Sequence, residues 1–122
     1  MDSRVSYGTN GRRYLECTSS DTGLTNEKDA LELVSACFEN DTDLLLLDYS
    51  VLSVDFFRLD TGVAGAILQK LINYRIKTAA VIPSELIENA RFREMALETN
   101  KGMHFRIFDT REEAVGWLTG IK

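Results

Sequence analysis

Proline, histidine and cysteine are scarce in this chain, and their scarcity excludes several kinds of chemistry. The 122 residues include one proline, one histidine and two cysteines. A single imidazole, that of His104, cannot build a multi-histidine metal site. Cys17 and Cys37 form no Cys-x-x-Cys pair, so neither a zinc ribbon nor a dithiol redox centre is supported. We therefore expect no metal and no cofactor, and two reduced thiols in a cytoplasmic protein.

Long apolar runs and basic clusters are also missing. No stretch approaches the ~20 apolar residues needed to cross a bilayer, and Met1 to Val5 lacks the apolar segment of a secretory signal. The chain carries 14 basic and 19 acidic side chains, a net charge of -5. Only Arg12 and Arg13 are adjacent basic residues, which argues against binding to nucleic-acid phosphates. We expect a cytoplasmic protein with no membrane and no nucleic-acid partner.

Enough apolar residues are present to form the core of one domain. Hydrophobic residues make up 44% of the sequence, and no linker or repeat divides residues 1–122. Two strands, Val5 to Tyr7 and Arg13 to Cys17, flank the hairpin signal Asn10-Gly11. The four apolar residues Leu44 to Leu47 predict a strand that is covered on both faces.

Helical patterns alternate with the remaining strands. Further strands are predicted over Thr78 to Ile82 and, at one edge of the sheet, over His104 to Phe108. The predicted helices begin at Thr25 or Asn26, at Thr61, at Ser84 and at Thr110. The order β-β-α-β-α-β-α-β-α predicts a single α/β domain with a mostly parallel sheet and an N-terminal antiparallel hairpin.

The segment around the second predicted helix start combines a polar loop with small residues. Asp60 and Thr61 can cap that helix, whereas Gly62 and Gly65 leave room for close approach of another group. An oxygen-rich loop that leads into an open helix N-terminus is a common binding position in α/β proteins.

Polar residues also follow the predicted parallel strands, whose carboxyl ends share one edge of the sheet. This rim comprises Thr18, Ser19, Ser20, Asp21, Asp48, Tyr49, Ser50, Ser84, Asp109 and Thr110. One hypothesis is therefore a small-ligand or anion-binding domain, with or without catalysis, that uses Asp48, Ser50, Thr61 and Ser84. Turns and N-caps favour the same residue types, and local capping explains most of the rim equally well.

The loop before the second helix is unusually apolar, which suggests a different function. Its apolar residues are Val51, Leu52, Val54, Phe56 and Phe57. Either they fold back onto the core or they form a docking patch for a protein partner. No nucleophile–base pair can be read from the spacing, so we favour a protein-interaction module over an enzyme. Homodimerisation across this loop or the edge strand is a further alternative.

The densest motif, from Phe56 to Lys77, continues the helix start into Asn73-Tyr74-Arg75-Ile76-Lys77. It resembles a small bacterial family catalogued as domain-of-unknown-function family 4180, and the resemblance runs from about Val5 to Leu118. The architecture is similar to the STAS domain of anti-sigma-factor antagonists. In those proteins a serine or threonine preceded by an aspartate opens a helix and is phosphorylated by a partner kinase. Asp60-Thr61-Gly62 resembles that pattern, which implies a phospho-switch at Thr61.

A second resemblance concerns Asp48. Asp43 to Asp48 resembles the third strand of response-regulator receiver domains, whose terminal aspartate is phosphorylated. Phosphoryl transfer to a carboxylate requires Mg²⁺ held by further acidic residues. The stretch Thr18 to Asp21 offers no adjacent acidic pair, and no lysine follows the last strand at Asp109-Thr110. We therefore interpret Asp48 as a polar strand end.

Overall fold

The computed structural model describes residues 2–19 and 23–120, which contain one five-stranded sheet. Its strands are β1 (Asp2–Tyr7), β2 (Arg13–Ser19), β3 (Leu44–Asp48), β4 (Lys77–Val81) and β5 (Phe105–Phe108). The strands lie side by side in sequence order. The β1–β2 pair is antiparallel and every other pair is parallel. The predicted α/β class and its antiparallel hairpin are thus confirmed.

Helices occupy most of the connections between strands. The described α-helices are α1 (Glu27–Glu39), α2 (Val54–Phe57), α3 (Val63–Asn73), α4 (Ala90–Thr99) and α5 (Arg111–Thr119). Single 3-10 turns cover Tyr49–Val51, Leu59–Thr61 and Ser84–Leu86. None of the helices in this part of the chain is long and apolar enough to cross a membrane.

The sheet separates two apolar cores. Residues of α1, α3 and α4 pack with Leu15, Leu45 and Leu47 on one face. On the other face, α5 packs with Leu44 and Leu46. Because successive strand side chains point to opposite faces, β3 contributes two leucines to each core. All four leucines are at most 3% exposed, which confirms a strand covered on both faces.

One predicted helix start is wrong, and another is displaced by two residues. Ser84 does not cap a helix: it begins a 3-10 turn, and α4 starts only at Ala90. The cap of α4 is Asn89, whose Oδ1 accepts from the backbone N–H groups of Arg91 and Phe92. The chain bends before α4 because Ile87 is buried in the larger core. The second predicted helix corresponds to α3, which begins two residues later than Thr61, at Val63.

An ion pair between a buried carboxylate and a half-exposed guanidinium ties the start of α5 to the sheet. The Glu16 side chain on β2 is 6% exposed, and both of its oxygens accept hydrogen bonds of 2.9 Å from the Arg111 guanidinium. Arg111 also donates to the Tyr14 hydroxyl at 2.9 Å. The hydrogen bonds from Arg111 hold the pKa of the Glu16 carboxyl below its ordinary value, against the opposing effect of burial.

Replacing Arg111 by methionine should lower the free energy of unfolding at neutral pH by about 1–3 kcal/mol. The variant leaves the Glu16 carboxylate desolvated without its main cation. Since folding lowers the Glu16 pKa, the stabilisation exists above the pKa of an unfolded glutamate and is lost as pH falls through the folded-state pKa. Urea titrations from neutral to acidic pH should therefore show the difference narrowing. A difference in the free energy of unfolding between wild type and variant that stays constant with pH would contradict a stabilising Glu16–Arg111 ion pair.

Candidate functional site

The carboxyl ends of the parallel strands form one edge of the sheet, as their registers require. Asp48 at the end of β3 is the Cα partner of Val81 on β4. Val81 in turn partners Phe108 on β5. Thr18 is exposed near the end of β2. Ser20 and Asp21, which the sequence also places on the rim, lie outside the described residues.

Asp48 and Ser50 meet in the turn after β3. The Asp48 carboxylate accepts the Ser50 backbone N–H at 3.1 Å and lies 2.5 Å from the Ser50 hydroxyl oxygen. That hydroxyl also contacts the backbone carbonyl of Thr18 at the end of β2. Both groups therefore join the ends of β2 and β3 through contacts within the chain.

Ser84 belongs to a separate contact at the other end of this edge. Its backbone N–H donates to the Asp109 carboxylate at 2.7 Å, which links the turn after β4 to the end of β5. Ser84 and Asp109 also line a shallow groove of about 250 Å³ beside α4. No hydrogen bond among the described residues connects this pair to Asp48 or Ser50.

Thr61 ends the 3-10 turn that leads into α3. Its hydroxyl lies 2.8 Å from the carbonyl oxygen of Asp55 and 2.7 Å from that of Arg58, to which it donates. It also accepts the first free N–H of α3, that of Val63, at 3.2 Å. Thr61 is nevertheless exposed, as is Asp60. The hydroxyl of this exposed residue thus satisfies one helix N-terminal donor.

Gly62 and Gly65 flank the start of α3 without packing closely on the rest of the chain. Gly62 has a φ of 77°, a left-handed conformation that glycine adopts without steric cost. A Cβ atom built on either glycine would meet no atom within 4 Å. The two glycines therefore leave open space on the surface beside Thr61.

The two phenylalanines of α2 fold back onto the core. Phe56 is fully buried and Phe57 is partly buried. Both rings contact Phe92 of α4, at centroid distances of 6.0 and 5.0 Å. Val54, on the same short helix, is 73% exposed. The sequence left two alternatives for this loop, packing on the core or forming a docking patch. Phe56 packs on the core, and only part of the loop remains exposed at the surface.

An apolar groove of about 320 Å³ opens beside α2. Its walls come from two segments, Val54 to Arg58 and Leu86 to Phe92. Leu86 is 48% exposed, and the partly buried Phe57 also lines the groove. We name this surface the α2 groove; its lining residues are Val54, Phe57, Arg58, Leu86, Ile87, Glu88, Asn89 and Phe92.

The second wall of the α2 groove was not predicted from the sequence. Leu86 and Phe92 follow β4, about 30 positions after α2, and only tertiary packing brings them together. The contact between Glu16 and Arg111, which are 95 residues apart, was not predicted either. The one available signal was a carboxylate placed between the apolar residues Leu15 and Cys17 in the middle of a strand, which requires a partner when buried.

Residues 2–19 and 23–120 contain no group of acidic, cysteine or histidine side chains that could hold a metal ion. None of the five grooves described on this surface is lined by Asp48, Ser50 or Thr61. Burial raises the pKa values of the Cys17 and Cys37 thiols to about 12, so both are protonated and unreactive at neutral pH.

Two substitutions in α2 should separate its buried residue from its exposed one. Phe56→Ala removes a fully buried ring and should lower the free energy of unfolding by about 3–5 kcal/mol. Val54→Ala removes an exposed side chain and should change it by less than about 0.5 kcal/mol. Chemical denaturation of both variants measures the difference. Equal losses would show that α2 does not pack in this way.

Comparison with known proteins identifies a family but no activity. A family model described as "Domain of unknown function (DUF4180)" matches residues 9–118. No curated protein matches the chain. No solved structure matches it either.

Proposed function

The chain belongs to the DUF4180 family, whose description assigns no activity, and we propose from the geometry that it is a regulatory protein-interaction module. Its docking surface is the α2 groove together with the start of α3. Its switch is phosphorylation of Thr61, in the manner of STAS-type antagonists. The module acts in the cytoplasm, a location supported by two unpaired, buried thiols.

One observation carries this proposal. The Thr61 hydroxyl is exposed, yet it is bonded to the backbone of the segment that builds one wall of the α2 groove. Asp55 lies in α2, and Arg58 both caps that helix and lines the groove. A change at the hydroxyl is therefore passed directly to the docking surface.

Phosphorylation would alter both the hydrogen bonds and the charge at this point. A phosphate ester on Thr61 no longer has the O–H proton that it donates to the carbonyl oxygens of Asp55 and Arg58. The added group carries about -1.5 to -2 charges beside the carboxylate of Asp60. Asp60 would repel the phosphate, whereas the positive end of α3 and the Arg58 guanidinium would attract it. The expected consequence is displacement of the turn from α2 and a change in the shape of the groove.

The exposed apolar residues favour a macromolecular partner. Val54 and Leu86 are 73% and 48% exposed, and they lie on opposite walls of the groove. Apolar side chains clustered at an open groove are typical of a docking surface. The open space beside Gly62 and Gly65 would allow a partner's backbone to approach the first turn of α3.

The ligand-binding alternative has weaker support. Asp48 and Ser50 direct their polar atoms to each other and to the Thr18 carbonyl, and the Asp109 carboxylate is bonded to Ser84. The four residues of that hypothesis, Asp48, Ser50, Thr61 and Ser84, thus have separate hydrogen-bond partners within the chain. No described groove gathers them.

Thr61→Glu should weaken partner binding at least about tenfold, a change of ~1.4 kcal/mol. The substitution introduces a charge and removes the hydroxyl proton, as phosphorylation does. The folded variant and the wild-type protein are immobilised in equal amounts and exposed to the same cell lysate. The proteins that each one captures are quantified by mass spectrometry. A protein that the wild type captures in stoichiometric amounts is then purified and titrated by calorimetry. Unchanged affinity for Thr61→Glu would contradict the switch.

Three further variants show whether a loss of partner binding by Thr61→Glu arises from the added charge and whether the α2 groove is the docking surface. Thr61→Val lacks the hydroxyl but adds no charge, so it isolates the loss of the hydrogen bonds to Asp55 and Arg58 and should weaken binding less than Thr61→Glu. Val54→Asp alters the docking surface alone and should also weaken binding. Phe38→Asp is the control. It introduces the same charge at another exposed apolar side chain, on α1, which lines a different groove, and it should not change partner binding. Normal binding by Val54→Asp would eliminate the α2 groove as the docking surface.

A further inference from the structure

The two edge strands of the sheet, β5 and β1, differ in whether other residues bond to their outward-facing backbone groups. Along β5, the backbone N–H groups of Thr78 and Ile82 on β4 donate to the carbonyl oxygens of His104 and Phe108 at 2.9 Å. Since the bonding direction of a strand alternates, the N–H and C=O of Ile107 point to the outer edge. The side-chain amide of Asn100 accepts from that N–H at 2.8 Å and donates to that C=O at 3.1 Å. Asn100 thus covers the β5 edge at Ile107.

Within residues 2–19 and 23–120, the outer edge of β1 has no such cover. The N–H of Gly8 donates to the carbonyl oxygen of Arg12 at 2.9 Å, which sets the alternation of the antiparallel pair. Ser6 and Arg4 then bond inward to β2, whereas Ser3, Val5 and Tyr7 direct their N–H and C=O groups outward. No hydrogen bond from another element of the described chain reaches these outward groups.

Side chains do not protect this edge either. Natural sheets block their edges with charged side chains, proline, bulges or a covering segment. β1 contains no lysine and no proline, and the irregularity in its pairing with β2 is confined to its first two residues, Asp2 and Ser3. Its Arg4 side chain belongs to the face that carries Glu16, with 3.5 Å between the guanidinium and the carboxylate. Tyr7, at the end of the strand, is 59% exposed. As far as the described part of the chain extends, the edge is therefore open to a further strand.

We infer that two copies of this chain pair through their β1 edges, antiparallel, about a two-fold axis at Val5. This register places Ser3 opposite Tyr7 of the second copy and Val5 opposite Val5. All three outward-facing residues of each copy then exchange backbone hydrogen bonds. Arg4 lies opposite Ser6 of the second copy, so the two arginines avoid each other. Moving the axis to Arg4 would oppose like charges directly, which is unfavourable.

The resulting dimer is a continuous sheet formed from two five-stranded sheets. Its interface is self-complementary, as two-fold symmetry requires. It involves neither Thr61 nor the α2 groove, so this inference stands or fails independently of the proposed regulatory function.

Two double variants test the proposed register of the β1–β1 pair. They differ only in the sign of the charge at residue 7. Ser3→Lys with Tyr7→Lys places two lysines opposite each other at both ends of the paired strands. Ser3→Lys with Tyr7→Glu places opposite charges at the same positions. Within one chain, residues 3 and 7 are about 13 Å apart along the strand, beyond the ~8 Å Debye length at physiological salt. Repulsion between residues 3 and 7 of a single copy is therefore largely screened. Arg13, opposite Tyr7 on β2, is the cation near residue 7 within one copy, and thermal melts of the two variants measure its effect on folding separately from dimerisation.

Sedimentation velocity from micromolar to millimolar concentration should show a wild-type dimer. The lysine–glutamate variant should remain dimeric, with a dissociation constant on the order of tenfold lower than that of the lysine–lysine variant. Circular dichroism melts establish that both variants are folded. A wild-type protein that is monomeric throughout, or equal dissociation constants for the two variants, would overturn the inference.

Amide hydrogen exchange provides a second readout that needs no substitution. Backbone amides of Ser3, Val5 and Tyr7 should become protected as protein concentration rises. Those of Arg4 and Ser6 are bonded to β2 and should be protected at every concentration. Exchange at Val5 that is independent of concentration while the protein dimerises would place the interface elsewhere.

Discussion

Burial of β3 on both faces is the constraint on which the rest of the structure depends. Leu44 to Leu47 are at most 3% exposed, and alternate side chains enter the two cores. One helix layer cannot satisfy such a strand, because half of its leucines would remain in water. The chain therefore places α1, α3 and α4 on one face and α5 on the other. The Glu16–Arg111 pair fixes the position of α5, since a buried carboxylate requires its cation.

The same constraint determines where the exposed apolar surface lies. The connection from β3 to α3 must return across the end of the sheet, and it does so with Val51 and Phe56 fully buried in the larger core. Short helical turns satisfy its backbone groups on the way. Val54 and Thr61 remain at the surface because they occupy the opposite sides of those turns. The proposed docking surface is thus a consequence of how this connection packs.

Much of the architecture could be predicted from local patterns. Asn10-Gly11 predicted the hairpin, and Gly11 does adopt a positive φ of 83°. Four consecutive leucines predicted the central strand, and Thr110 with Glu113 predicted the start of α5, where the Thr110 hydroxyl accepts the Glu113 N–H. These signals succeed because they depend on residues close together in the chain. Ser84 failed as a helix start because the burial of Ile87, a tertiary contact, delays α4 until Ala90.

The sequence by itself determined the alternation of strands and helices and the composition of the loop before α3. It also determined the Asp60-Thr61-Gly62 motif at that position, because capping and turn preferences act locally. Only the tertiary structure decided that Phe56 is buried and Val54 exposed, and that Leu86 completes a groove with α2. It alone decided that Asn100 covers the β5 edge at Ile107, whereas no described segment bonds to the outer edge of β1. These outcomes depend on contacts between distant segments, which no local pattern encodes.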